Sequence, residues 1–186
     1  MEVTQTDKHL LEKFKITATK KEAFQLLLEK YNRKVYWQVR RIVIDHDDAN
    51  DVVQNTFIKV WEKLESFRED SQFYTWLFRI ATNEALAFLQ KKRSARNISM
   101  EEMQEELSNQ IEAGSYFDGN KTERILQQAI LTLPEKQRLV FNMKYYDNLK
   151  YEEIESILGT SVGALKASYH HAVKKIEQFV RQSLNQ

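Results

Sequence analysis

The sequence predicts an all-α chain of two small helical domains joined by an acidic linker. Three observations carry this. One Pro and four Gly interrupt 186 residues, so long helices meet few breakers. Apolar residues recur at steps of three and four along most of the chain, the period of a helix with one buried face. That period fails from Asn97 to about Thr122, where acidic residues collect. Residues 97–123 hold seven carboxylates against one lysine, a net charge of −6, which leaves +7 for the rest of a chain whose total is +1. The expected domains are residues 1–96 and 123–186, with 97–122 between them.

Composition narrows the function classes. The absence of Cys excludes disulfides and thiolate zinc sites and suits a reducing cytoplasm. The first residues lack an apolar run of signal-peptide type, and no stretch reaches the roughly 20 apolar residues of a membrane span. No membrane insertion is expected.

In the first domain, Leu10 to Phe14 begins a short helix. A long helix over Ala23 to Ile44 follows, with Phe24, Leu27, Leu28, Tyr31, Val35, Val39 and Ile42 as apolar positions. Its basic residues Arg33, Lys34, Arg40 and Arg41 are expected on a solvated face. The run DHDDAND breaks the pattern, with Asp47 or Asp48 as the cap of the next helix. His46, Asp47 and Asp48 are three neighbours in a turn without further ligands, so no metal is expected there.

Asp51 to Gln90 forms two helices joined by the polar loop SFREDSQF. In the first, Val53, Phe57, Val60 and Leu64 make a buried stripe. Asp51, Asn55, Ile58 and Glu62 make a second stripe nearly opposite, flanked by Gln54 and Trp61, and Ile58 is apolar where a solvated face needs no apolar residue. In the second helix Leu77, Ile80, Ala81 and Phe88 face the core, while Trp76, Arg79, Asn83 and Gln90 share another face. Phe73, Tyr74, Trp76 and Phe78 crowd its start. Lys91, Lys92, Arg93 and Arg96 end it with positive charge, which suits both phosphates and a helix C-terminus.

The linker contains Gly114 and Gly119, and a short helix over Met100 to Leu107 is possible within it. Beyond it, Ile125, Ala129, Ile130 and Leu133 form one face, and Pro134 suits the start of the following helix. Leu139, Val140, Met143 and Tyr146 are the next packing positions. YEEIESILGTSVGALKASYHHAVKKIEQFV then reads as helix, tight turn at Gly159 and longer helix, a helix-turn-helix. Lys150 precedes its first helix in place of a capping Ser or Thr, leaving the box with Glu153 incomplete. Tyr151, Ile154, Ile157 and Leu158 pack the first helix. Val162, Leu165, Tyr169, Ala172 and Ile176 pack the second, capped by Thr160 or Ser161. Its free face carries Lys166, Ala167, His170 and Lys174, with Ser168, His171 and Lys175 beside it. Such a face can enter the major groove, and Gly163 and Ala167 are small enough to allow close approach. His170 and His171 point about 100° apart on a helix and cannot easily share one ion.

On these residues the chain resembles a known family. DVVQNTFIKVWEKLESF followed by FYTWLFRIATN is similar to domain two of the bacterial RNA polymerase sigma factors of the extracytoplasmic-function (ECF) class, in the sigma-70 family. The segment from LTLPEKQRLVF onward resembles domain four of that class. The resemblance implies core RNA polymerase, promoter DNA and an anti-sigma factor as partners. It implies docking on polymerase through Asp51, Gln54, Asn55, Ile58, Trp61 and Glu62. It implies minus-ten recognition and opening through Phe67, Phe73, Trp76, Arg79 and Asn83, with Phe67 and Asn83 as floor and wall of a pocket for a flipped base. Reading of the minus-thirty-five element falls to Lys166, Ala167, Ser168, His170, His171 and Lys174. Leu86 and Ala87 depart from the pattern, standing where hydrogen-bonding side chains would read bases. Ser168 and His171 stand where relatives often carry Arg.

No nucleophile–base–orienter set, phosphate-cradling loop or supported carboxylate pair is present, so neither catalysis nor a cofactor is expected. Two other functions fit parts of the chain. A polymerase-independent helix-turn-helix regulator would leave the aromatic loop idle and needs a dimer interface that the sequence lacks. An adaptor using only Ile58 and Trp61 would leave the recognition helix unexplained.

Overall fold

The computed structural model describes residues 6–112 and 121–184. Among them are helices α1 (Asp7–Phe14), α2 (Lys20–Val43), α3 (His46–Lys63), α4 (Phe73–Arg96), α5 (Met100–Glu112), α6 (Lys121–Leu131), α7 (Glu135–Tyr145), α8 (Tyr151–Leu158) and α9 (Val162–Leu184), and no strand.

Local chemistry sets the helix ends. Thr6 caps α1 by accepting from His9 N. Asp45, not Asp47 or Asp48, caps α3: its carboxylate accepts from Asp47 N at 2.9 Å and Asp48 N at 3.0 Å. These amide bonds, that of Asp48 foremost, lower the Asp45 pKa. The turn before it runs through Ile44 at φ 66°, a costly backbone for a β-branched residue, but the side chain is buried in the core. Asn97 ends α4 in the left-handed region, where Asn is tolerated. Gly159 does the same for α8 at φ 65°.

Helices α2, α3 and α4 pack on one another through Leu27, Val35, Val39, Val52, Leu77 and Ala81, and α1 closes one end with Leu10 and Phe14. Gln38 is buried between α2 and α4, donating to Phe78 O and to Thr82 Oγ1. Helices α6, α7 and α9 enclose a second core around Ile130, Leu133, Phe141 and Ile176.

The two domains do not stand apart. Leu139, Val140, Met143, Leu149, Ile154 and Ile157 belong to the same buried cluster as α2 and α4, and α8 lies along α4. One expectation is corrected here. Arg40 and Arg41 do not lie on a solvated face. Arg40 is buried, and Arg41 crosses to the second domain, binding Asp147 Oδ1 at 2.7 Å with its guanidinium over the Tyr146 ring. The helix allowed for within the linker is present and longer than Met100 to Leu107. It runs to Glu112, and Met103 and Leu107 are buried against the core. Arg96 holds Glu106 at 2.6 Å. Ser99 and Glu102 open the helix reciprocally, Glu102 N donating to Ser99 Oγ and Ser99 N to the Glu102 carboxylate, a capping box. Gly114 and Gly119 lie outside the described residues. No helix among those described is long and apolar enough to cross a membrane.

Candidate polymerase and nucleic-acid interface

Helix α3 buries Val52, Val53, Thr56, Phe57 and Val60. That leaves Asp51, Gln54, Asn55, Ile58 and Glu62 exposed, Ile58 at 50%. A single exposed apolar side chain is ordinary. Ile58, however, borders a 530 Å³ open groove with Phe24, Leu28, Val53, Phe57 and Trp61. Phe24 and Leu28, expected simply as packing positions, are only half-buried and supply this groove from α2. Periodicity alone places them on a buried stripe. Only the crossing of α2 and α3 shows that the stripe extends past the core. Trp61 is half-buried, edge-on to Phe14 and Phe24 with ring centroids 5.3 and 5.0 Å away. Lys20 Nζ lies 5.1 Å from its ring centroid. Its position is fixed, and one edge is left for the groove.

At the start of α4 the aromatics divide. Phe73 is 3% exposed, packed against Tyr31, Phe67 and Trp76. It is a core residue, because Tyr31 of α2 reaches the helix start, so direct contact with DNA is not open to it in this arrangement. Phe67 is buried to a similar degree and lies 5.0 Å from the half-buried Trp76. Arg79 and Asn83 are exposed on the same face, one turn apart. The site is thus an aromatic pair at one end of a helix face with an amide about 10 Å further along it.

Leu86 and Ala87 now have separate explanations. Ala87 is exposed, whereas Leu86 is half-buried and packs toward the second domain. The basic end of α4 is largely engaged: Lys92 pairs with Asp48 at 2.5 Å and Arg96 with Glu106. Lys91 remains exposed and makes no ion pair with the described residues.

In the helix-turn-helix, Leu165, Ala172 and Ile176 are buried, and Lys166, Ala167, His170, His171 and Lys174 are exposed together. Ser168 is half-buried and sits at the margin of that face. The capping box of α8 is half made: Lys150 N donates to the Glu153 carboxylate, and Lys has no side-chain acceptor to return the bond. At the start of α9, Val162 N donates to Glu155 Oε1, and Ser161 O accepts from Leu165 N. Gly163 is instructive. A Cβ placed there would meet nothing within 4 Å, so packing does not require glycine. Glycine inside a helix costs about 0.5–1 kcal/mol relative to alanine. An outside partner approaching the backbone is one reason to keep it. The rings of His170 and His171 are 6.0 Å apart and tilted, and the described residues contain no cluster suited to a metal.

Comparison with known proteins gives a consistent result. Residues 27–95 match the model for sigma-70 region 2, and residues 123–176 match that for sigma-70 region 4. The chain is 32% identical to the ECF RNA polymerase sigma-E factor of Haemophilus influenzae, covering 95% of this chain and 96% of that protein. It is 34% identical to the sigma-E factor of Escherichia coli K12, covering 95% of each. Its fold resembles that of CnrH solved with the cytosolic domain of CnrY, with a TM-score of 0.70, 23% identity, and coverage of 95% and 97%. It also resembles RpoE of Bartonella quintana solved with the anti-sigma factor NepR, with a TM-score of 0.66, 20% identity, and coverage of 85% and 96%. With both sigma-70 regions matched in order and curated relatives aligned along nearly the whole chain, the protein belongs to the sigma-70 family, as a sigma factor of the extracytoplasmic-function class.

Proposed function

We propose that this chain docks on core RNA polymerase through the exposed face of α3 and directs promoter recognition and opening for transcription initiation. The observation that carries the reading is the surplus face of α3: Asp51, Gln54, Asn55, Ile58 and Glu62 exposed, with Trp61 and Ile58 bordering an apolar groove. Residues 1–96 dock and open, residues 123–186 read the upstream element, and residues 97–122 connect them.

Opening requires a base to leave the stack, at a cost of a few kcal/mol. The face of Trp76, Arg79 and Asn83 offers a ring, a cation and an amide to an extruded base, with Phe67 behind Trp76. Phe73 acts here as support for those rings. The exposed face of α9, from Lys166 to Lys174, reads the minus-thirty-five element in the major groove. Two modest readers on one chain gain strength because the second contact is intramolecular. CnrH and RpoE were each solved with a protein partner, and an anti-sigma factor that covers the Ile58–Trp61 groove fits the apolar character of that surface. The chain acts in the cytoplasm, on the nucleoid when bound to polymerase.

Run-off transcription tests the reading. Core polymerase supplied with this chain is expected to start RNA at defined positions on a panel of the host's upstream regions. Failure to do so across a broad panel overturns it.

A further inference from the structure

A cavity of 430 Å³ lies where the C-terminal half of α4, helix α5 and the start of α7 meet. Its volume is in the range of small-molecule sites. Leu86 and Leu89 form the α4 wall, Met103 and Leu107 the α5 wall, and Leu133 the far side. Three charged groups line the same space: Arg93, Arg138 and Glu135.

Arg138 is the unusual one. The residue is only 8% exposed, but its guanidinium nitrogens are not among the buried atoms left without a partner, because they open into the cavity rather than onto a hydrogen bond or ion pair with the described residues. A guanidinium in so dry a setting, with only the carboxylate of Glu135 near it, favours an anion that can reach it. Burial weakens its hold on its proton, opposed by nearby Glu135, but an arginine stays charged. A second feature points the same way. Helix α7 opens onto this cavity, and its cap, Pro134, has no side-chain oxygen for the first-turn amides. An uncapped helix N-terminus carries partial positive charge and unclaimed donors. Arg93, half-buried on the α4 wall, adds a second guanidinium. Counting Glu135 against the two arginines leaves one net positive charge, which matches a monoanion. The remaining walls are hydrocarbon.

We propose that this cavity binds an amphiphilic monocarboxylate, a medium-chain fatty acid in chemical class. Its carboxylate pairs with Arg138 and Arg93 at the start of α7, and its chain lies along Leu86, Leu89, Met103 and Leu107. The site joins the two domains: α4 and α5 form one side of it, and Arg138 of α7 the other. An occupant therefore stabilises the packed arrangement by mass action. The inference does not rest on the sigma-factor reading, because binding is measured on the free chain.

The test is isothermal titration calorimetry of the full chain with decanoate, with decanol as the uncharged tail and acetate as the head alone. One saturable site is expected, with decanoate binding about tenfold or more tighter than either control. Arg138→Gln and Leu86→Trp are each expected to weaken decanoate about tenfold, the first by removing the charge pair and the second by filling the space. Should Arg138→Gln fail to fold by circular dichroism, Arg93→Gln at the half-exposed rim is the charge test, with a loss of about fivefold expected. No saturable binding of decanoate overturns the proposal. So does decanoate binding that Leu86→Trp and Arg93→Gln leave unchanged, and so does decanol binding as tightly as decanoate.

Discussion

Helices α3 and α9 each bury one stripe and leave the other in solvent, but they leave different chemistry there. Helix α3 exposes Ile58 beside a groove of aromatic and aliphatic side chains, ringed by Asp51, Gln54, Asn55 and Glu62. Helix α9 exposes Lys166, His170, His171 and Lys174 around Gly163 and Ala167, which have almost no side chain. An apolar centre with a polar rim suits a protein partner, whose own apolar surface leaves water with it. A positive face with small residues suits a charged backbone and base edges, where apolar area contributes little. One helix is organised for area and the other for reach.

The comparison breaks first at Ile58. Ile58→Glu puts a charge at the centre of the groove and is expected to weaken polymerase binding on the order of a hundredfold, as loss of a central anchor does. The side chain is half in solvent, so helicity and melting temperature should stay near wild type. Unchanged affinity in a pull-down titration with core polymerase would remove α3 as the docking surface.

Asn83 sharpens the same contrast inside the first domain. It is exposed and makes no contact that the fold needs, so Asn83→Ala should fold normally. Losing one amide that holds an extruded base is expected to reduce open-complex formation about tenfold, with closed-complex formation little changed. Permanganate reactivity of the opened strand reads this directly. Wild-type footprints would move the base pocket elsewhere.

Lys166 tests whether α9 reads sequence or only charge. Lys166→Ala is expected to lower upstream-element affinity by about fivefold and to reduce discrimination against a mutated element. A loss that is uniform across sequences, with a shallower salt dependence by about one charge, would make Lys166 a phosphate contact.

How much of this was open to sequence depends on range. The stripes of α3 and α9 are local, and a 3.6-residue period reports them, so the exposure of Ile58 and Lys166 is legible before any fold is known. The cap of α5 is equally local: Ser99 and Glu102 are three apart, a spacing that marks a helix start within a stretch otherwise read as linker. The packing of one domain on the other is not local. Leu139, Val140, Ile154 and Ile157 are apolar at helical spacing, which says that they are covered but not that α4 helps to cover them. Phe73 looks like an exposed aromatic until Tyr31 of another helix closes over it. Arg41 and Asp147 are 106 positions apart, and nothing in either neighbourhood predicts that they meet.

That last pair carries the smallest expected effect. Arg41 and Asp147 link the domains at 2.7 Å, with side chains 16% and 11% exposed. The link looks like a clasp, yet Asp147 has its pKa raised: burial pushes it up more than Arg41 pulls it down. One carboxylate oxygen has no hydrogen-bond partner. The charged form is therefore held at a net cost, and desolvation of a buried pair can outweigh its attraction. Because the packed arrangement binds this proton more tightly than the open chain does, its contribution is full below the ordinary aspartate range. It is lost as pH rises through the raised value. The domains are expected to pack somewhat less tightly at pH 7 than near pH 4. Asp147→Asn, neutral throughout and still able to accept from Arg41 through its amide oxygen, should flatten that dependence and change the balance at pH 7 by about 1 kcal/mol. Energy transfer between dyes on the two domains, followed from pH 4 to pH 7, measures it. Packing that tightens as pH rises, and that Asp147→Asn abolishes, would mean that the attraction of Arg41 exceeds the burial cost.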